Sequence, residues 1–219
     1  MAGVNPVQDS DFDELLRLEA NKEAADGWSH HASGDGFETW VRRRDNEKIN
    51  MMKTYYHIKG VTKEQLLDLM VEPDQRTRFD NSFKEYRFVK DFGDHKILYT
   101  RCPMNAPFVS DRDFVVAHTR RTTAAEICVI NKQIETELVP LVSGAVRADT
   151  LCLSITFRDA EGDEIAATMC YILQSDYKIS MPASVINSKI ASTPPAFLKR
   201  LQDFVTHAYK PELAAAKSS

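Results

Sequence analysis

Arg76 and Asp80 stand four residues apart, a spacing that puts a guanidinium and a carboxylate on the same face of a helix. At a surface such a pair contributes well under ~1 kcal/mol, so spacing alone does not separate a solvated ion pair from a binding group. Arg112-Asp113 opens a strand after a loop, where an ion pair or strand-end hydrogen bonds suit both side chains, and Arg147 reads the same way. Asn131 follows the apolar run Ile127-Cys128-Val129-Ile130, and Tyr171 sits within Met169-Cys170-Tyr171-Ile172. Polar groups buried in such runs require hydrogen-bond partners, and a bound ligand is one available partner. Signals for bond-breaking chemistry are missing. The six histidines have no metal-ligand spacing, and the sequence has no glycine-rich phosphate loop, Gly-x-Ser-x-Gly elbow or paired-carboxylate signature. Cys128, Cys152 and Cys170 lie in apolar strand runs and Cys102 at a loop edge, where cysteine acts as a small hydrophobe. The expectation is a binding protein with no catalytic residue, no metal and no cofactor.

The composition belongs to an ordinary globular chain: 219 residues, 43% hydrophobic and 27% charged, long enough for a sizeable core. The net charge is −4, and the first forty residues hold nine acids against two bases, which is not the footprint of a nucleic-acid binder. No apolar run approaches the ~18 residues of a membrane span. The acidic first thirty residues lack an apolar signal core, and the four cysteines lack paired spacing. Both point to a reducing, cytoplasmic setting.

The elements that would position these residues follow from periodicity. Asp9 to Ala25 reads as a first helix with Phe12, Leu15, Leu16 and Leu18 on its apolar side, capped by Ser10 and Asp13 and stopped at Gly27. Strands are expected at Trp28–His31, Phe37–Arg43 and Met51–Val61. A helix from Thr62 follows, with Gln65 at the capping-box position, then a short helix from Gln75 to Asp80. From Phe83 the period changes to two, and further strands are expected at Lys96–Arg101, Arg112–Arg121, Glu126–Glu137, Ala148–Arg158 and Glu164–Tyr177. Beyond them Pro182 to Tyr209 carries Ile186, Ile190, Phe197, Leu201 and Phe204 in helical steps, with Ser180 as cap and a kink at Pro194-Pro195. A long helix closing a β-rich chain must cover a sheet face, and a curved sheet leaves a hollow beneath it.

Five motifs in this order carry a resemblance: Arg76-x-x-Phe79-Asp80, Ser110-x-Arg112-Asp113-Phe114-Val115, Val146-Arg147-Ala148, Tyr171 through Pro182-Ala183-Ser184-Val185-Ile186-Asn187, and Phe197-Leu198-Lys199-Arg200-Leu201. Together they resemble the START family of lipid-transfer domains. The resemblance implies an α+β helix-grip fold, with an antiparallel sheet of about nine strands curved around a long C-terminal helix and a lipid tunnel between them. Residues 1–27 would be an acidic helix of the same domain, 28–210 the lipid-binding unit and 211–219 a loose tail.

It further implies that Arg76 and Asp80 point into the tunnel and hold the polar end of a lipid. Asn131, Tyr171 and Thr100 match positions that bind the amide and hydroxyls in ceramide-carrying members. Thr100, Phe114 and Leu151 fall at the cage positions of phosphatidylcholine carriers, where one ring of three makes a poor cage. A ceramide-like lipid is therefore placed ahead of phosphatidylcholine, and a sterol third, because His118 has no acid beside it in the sequence. The expected gate is the Pro103–Asp111 loop with Met104, Phe108 and Val109, facing Ile186 and Ile190 of the last helix. The partners implied are a phospholipid or sphingolipid and a transient membrane surface, without nucleic acid, the chain acting as a monomer. A lipid-sensing regulatory role is the alternative.

Overall fold

Alternating apolar residues make the strands, and a computed structural model, which describes residues 3–217 apart from 44, 106–108 and 163, joins ten of them into one sheet. These are β1 (Trp28–Gly34), β2 (Phe37–Arg42), β3 (Met51–Lys59), β4 (Glu85–Asp91), β5 (Lys96–Cys102), β6 (Asp111–Thr122), β7 (Ile127–Gln133), β8 (Ala145–Arg147), β9 (Asp149–Asp159) and β10 (Ala166–Asp176). The spatial order is β1-β2-β3-β10-β9-β7-β6-β5-β4, so the sheet has two free edges and is not closed. Neighbours in this order are antiparallel, and three-residue β8 adds a parallel pairing to the start of β6. With only three residues, β8 has no local period that a sequence pattern can reveal.

The two faces of the sheet are covered differently. On the concave face, Tyr56, Ile58, Val129, Ile155, Phe157 and Met169 form one core with α2 (Lys63–Val71), α3 (Pro73–Phe79) and α5 (Pro194–Phe204). On the outer face, α1 (Asp9–Ala20) lays Phe12, Leu15 and Leu18 over Cys128, Ile130, Cys170 and Ile172. Each such side chain contributes about 1.5–3 kcal/mol of burial. The capping box of α2 forms as the sequence indicates: the Gln65 N–H donates to Thr62 Oγ1 at 3.4 Å and the Thr62 N–H to Gln65 Oε1 at 3.0 Å.

Several local readings are corrected. Helix α1 stops at Ala20 instead of Ala25, because Lys53 Nζ, buried on β3, donates to the carbonyls of Leu18, Glu19 and Asn21 at 2.6, 2.9 and 2.5 Å. Its capping box is built from Gln8 and Asp11 and not from Ser10 and Asp13. The long last helix is segmented, with α4 (Ala183–Ala191), then α5, a π turn over Val205–Tyr209, and α6 (Lys210–Lys217). Pro182, not Ser180, is the N-cap residue of α4, and the expected break lies at Ser192-Thr193. Pro194 and Pro195 then open α5, where a missing N–H costs no hydrogen bond. Residues 211–217, read as a loose tail, are helical; Leu213 packs on the concave core and Glu212 pairs with Arg78 at 2.5 Å. Among the described residues no helix is long and apolar enough to cross a membrane.

Candidate functional site

Pro73 starts α3 and the short helix ends at Phe79, so a single turn carries Arg76 inward and leaves Asp80 at its C-terminal boundary. Arg76 Nη2 meets Asp80 Oδ2 at 2.6 Å, with side-chain exposures of only 7% and 2%. The remaining geometry fixes both groups. Arg76 lies over the rings of Phe79, Phe83 and Phe197 at 5.5, 5.4 and 5.2 Å, and Nη1 donates to Met70 Sδ at 2.8 Å. Asp80 Oδ1 accepts the Ser82 N–H at 3.0 Å. Burial opposes the Asp80 charge, but the Arg76 guanidinium and the Ser82 hydrogen bonds outweigh it and hold the carboxyl below its usual range.

Two phenols, Tyr86 and Tyr171, and the Cys102 thiol lie within electrostatic reach of this pair, and a third phenol, Tyr177, within reach of Tyr171 and Cys102. Tyr86, Tyr171, Tyr177 and Cys102 each keep part of their surface uncovered by protein, yet burial raises the pKa of all four, Tyr171 and Cys102 to about 12. All four are therefore desolvated although protein atoms do not cover them completely. The electrostatic neighbours agree, since Arg76 and Asp80 act on Tyr86, Tyr171 and Cys102 alike. Strand register supplies the other walls. Tyr86, Thr100 and Phe114 stand opposite one another across β4, β5 and β6, and Tyr171 stands opposite Ile155 of the concave core.

The expected site residues are not all equivalent in this arrangement. Arg76, Asp80 and Tyr171 converge. Thr100 is buried on β5 beside Phe114, and the Phe114 ring packs edge-on against Tyr177 at 5.7 Å. Asn131 stands opposite His118, and its Oδ1 lies 2.9 Å from His118 Nδ1, so its first partner is protein. Burial pushes the His118 imidazole down to about 4. Leu151 is 58% exposed and cannot wall a cage. Arg112 donates to the carbonyls of Ser110, Tyr177 and Lys178, and Arg147 grips Asp113 through two bonds of 2.9–3.0 Å; both are structural.

Of the expected gate, Met104 and Val109 are half-buried, Ile186 is buried and Ile190 half-buried, while Phe108 lies outside the described residues. Helix α4 is tied down by Asn187, which accepts the Asn50 N–H at 3.0 Å and donates to the Lys48 carbonyl at 3.3 Å. Arg200, whose Nη2 lies 3.9 Å from Asp80 Oδ1, and Tyr56, Tyr86 and Tyr177, on each of which Tyr171 acts, were not foreseen as site residues. Tyr86 had a usable signal in the alternation from Phe83, whereas the others join the site only through tertiary packing. A surface groove of about 540 Å3 between the β1–β2 turn and α5 shares no lining residue with this cluster. All four cysteines are free, and among the described residues no group of His, Cys, Asp and Glu is arranged for a metal.

With this geometry in place, the chain can be compared with known proteins. No curated protein matches it. Among solved structures, human STARD10 superposes with a TM-score of 0.84 at 18% identity, covering 99% of this chain and 86% of that one. Human StAR-related lipid transfer protein 5 gives 0.77 at 19% identity, covering 92% and 95%. The lipid transfer and protein localization domain of human StarD13 gives 0.70 at 19% identity, covering 90% and 96%. At these identities the likeness shows the helix-grip fold alone. The START domain family matches residues 12–210, nearly the whole chain, and the chain belongs to that family.

Proposed function

We propose that this protein binds one lipid, a phospholipid or a sphingolipid, in the hollow between sheet and helices and carries it between membranes. The observation that supports this most directly is the enclosed Arg76–Asp80 pair, with Tyr86 and Tyr171 in its electrostatic reach, desolvated although protein atoms do not cover them completely. Burying some thirty methylenes gives a gross ~24 kcal/mol against water, above the practical ceiling of ~20 kcal/mol for non-covalent binding. The donor state is a bilayer, equally apolar, so the chain contribution nearly cancels. Discrimination then rests with Arg76, Asp80, Tyr171, Thr100, Asn131 and the Phe114–Tyr177 pair, which bind and do not react.

In this reading the protein works as a cytoplasmic monomer that touches membranes transiently. The gate is the Pro103–Asp111 loop together with α4. Met181 and Val185, 44% and 46% exposed, sit at the start of that helix, and its break from α5 supplies the hinge. The test is mass spectrometry of lipid extracted from the purified protein, followed by transfer of that lipid between labelled donor and acceptor vesicles. Retention without transfer would assign the protein to sensing, and absence of retained lipid would refute the proposal.

A further inference from the structure

We infer that Arg200, reaching in from α5, is the second cation of a phosphate-binding site whose first cation is Arg76. The inference rests on the lipid-binding reading and specifies its head-group chemistry. Asp80 faces two guanidinium groups, Arg76 at 2.6 Å on Oδ2 and Arg200 Nη2 at 3.9 Å on Oδ1. One carboxylate between two guanidiniums leaves a positive charge over. Two further acids reach this region, Glu72 acting on Tyr86 and Asp111 on Cys102. Asp111 is engaged by Arg101 at 2.6 Å and Lys84 at 3.2 Å, and neither acid figures among the charges acting on Tyr56 or Tyr171.

The unmet hydrogen-bonding capacity points the same way. The Nε atoms of both Arg76 and Arg200 are buried without a hydrogen-bond partner. Arg76 is 6% exposed and confined among three rings, so its Nε–H cannot swing out to water, and a sulfur atom is a weak acceptor for Nη1. Two orphaned donors beside a surplus positive charge are matched by an anion with several oxygens, which takes charge-assisted bonds from both forks. The Tyr171 hydroxyl, which has no protein partner among the described residues, can donate as well. A phosphate fits this pattern. The amide and hydroxyls of a ceramide-like head bring acceptors but no charge, and the surplus would remain. Because Arg76 sits on α3 and Arg200 on α5, the bound phosphate would also tie those two helices together.

The Arg200 side chain is 36% exposed, so Arg200→Gln keeps the fold while removing the charge. Wild type and Arg200→Gln are each incubated with vesicles of phosphatidylcholine doped equally with phosphatidic acid and ceramide. The protein is then re-isolated and its retained lipid quantified. The expected result is retention of the two phosphate-bearing lipids over ceramide in the wild type, with that preference falling about tenfold in the variant and ceramide uptake unchanged. Ceramide equal to or above the phosphate lipids in the wild type overturns the inference but leaves the lipid-binding reading standing. A loss of all three lipids alike in the variant does the same. Absence of any retained lipid refutes the lipid-binding reading itself. Inorganic phosphate alone, followed by melting temperature, separates the two sources of the anion. A shift in wild type but not in Arg200→Gln, without retained phospholipid, assigns the site to free phosphate; phospholipid retention without a shift assigns it to the head group.

Discussion

Arg76 Nη2 and Asp80 Oδ2 approach to 2.6 Å in a place where neither side chain is more than 7% exposed, which turns an ordinary i, i+4 helix pair into an enclosed one. Removing one partner strands the other charge. Arg76→Ala is expected to cost ~3–5 kcal/mol and to abolish lipid retention. The pair of substitutions Arg76→Met with Asp80→Leu should recover much of the stability but none of the binding. Denaturant melts and lipid extraction, run on both variants, check this, and lipid retained by the double variant would rule out the pair as anchor.

His118 and Asn131 give a pH dependence. The folded imidazole titrates near 4, against 6.5 for an ordinary histidine, because it is buried. Above pH 6.5 both states are neutral there and stability is complete. As pH falls the unfolded state takes the proton first, so stability drops progressively toward pH 4, by about 2 kcal/mol between pH 7 and pH 5. The His118→Gln variant should lose most of that pH sensitivity, as read from denaturation midpoints at the two pH values.

Lys53 fastens α1 to the sheet. Its ammonium is buried among three carbonyls and over the Trp28 ring at 4.2 Å, and desolvation lowers its pKa to about 8. The charged form is the one disfavoured by folding, so this group adds stability as pH rises from about 8 toward 10.5. Lys53→Met should leave carbonyls of Leu18, Glu19 and Asn21 unsatisfied, cost ~2–4 kcal/mol, and open the 20–27 segment to proteases. An unchanged cleavage pattern would show that the apolar face of α1 suffices by itself.

Asn187 is the tether of α4, binding both Asn50 and the Lys48 carbonyl. Asn187→Ala should cost only ~1–2 kcal/mol, since the site is near the surface. It should also release preloaded fluorescent lipid to acceptor vesicles several-fold faster. Equal release rates would place the rate-limiting motion elsewhere.

Gln202 ties α5 to the end of β3, accepting the Lys59 N–H at 2.9 Å and donating to its carbonyl at 3.1 Å. Gln202→Leu removes both bonds and should lower stability by ~1–2 kcal/mol. Hydrogen exchange at Lys59 should accelerate while exchange in β9 and β10 stays as it was.

Local chemistry written in the sequence was enough for most of the elements. The period-two runs placed the long strands, Thr62 with Gln65 fixed the start of α2, and Pro194-Pro195 marked the break before α5, because each signal acts within a few residues. The i, i+4 spacing of Arg76 and Asp80 likewise determined that they could pair. Only the tertiary structure decided that the pair is buried, since burial depends on Phe83 and Phe197, which approach Arg76 from other parts of the chain. The same holds for the end of α1, set by a lysine 33 residues beyond Ala20, and for β8, whose three residues pair only because β6 is there. Asn131 was readable as a buried polar group, but its partner His118 is thirteen positions away and is set by strand register. Arg200 looked like one more charge on a helix face. Its position beside Asp80 exists only once α5 has closed over the sheet, because a contact between residues 120 positions apart has no local cause.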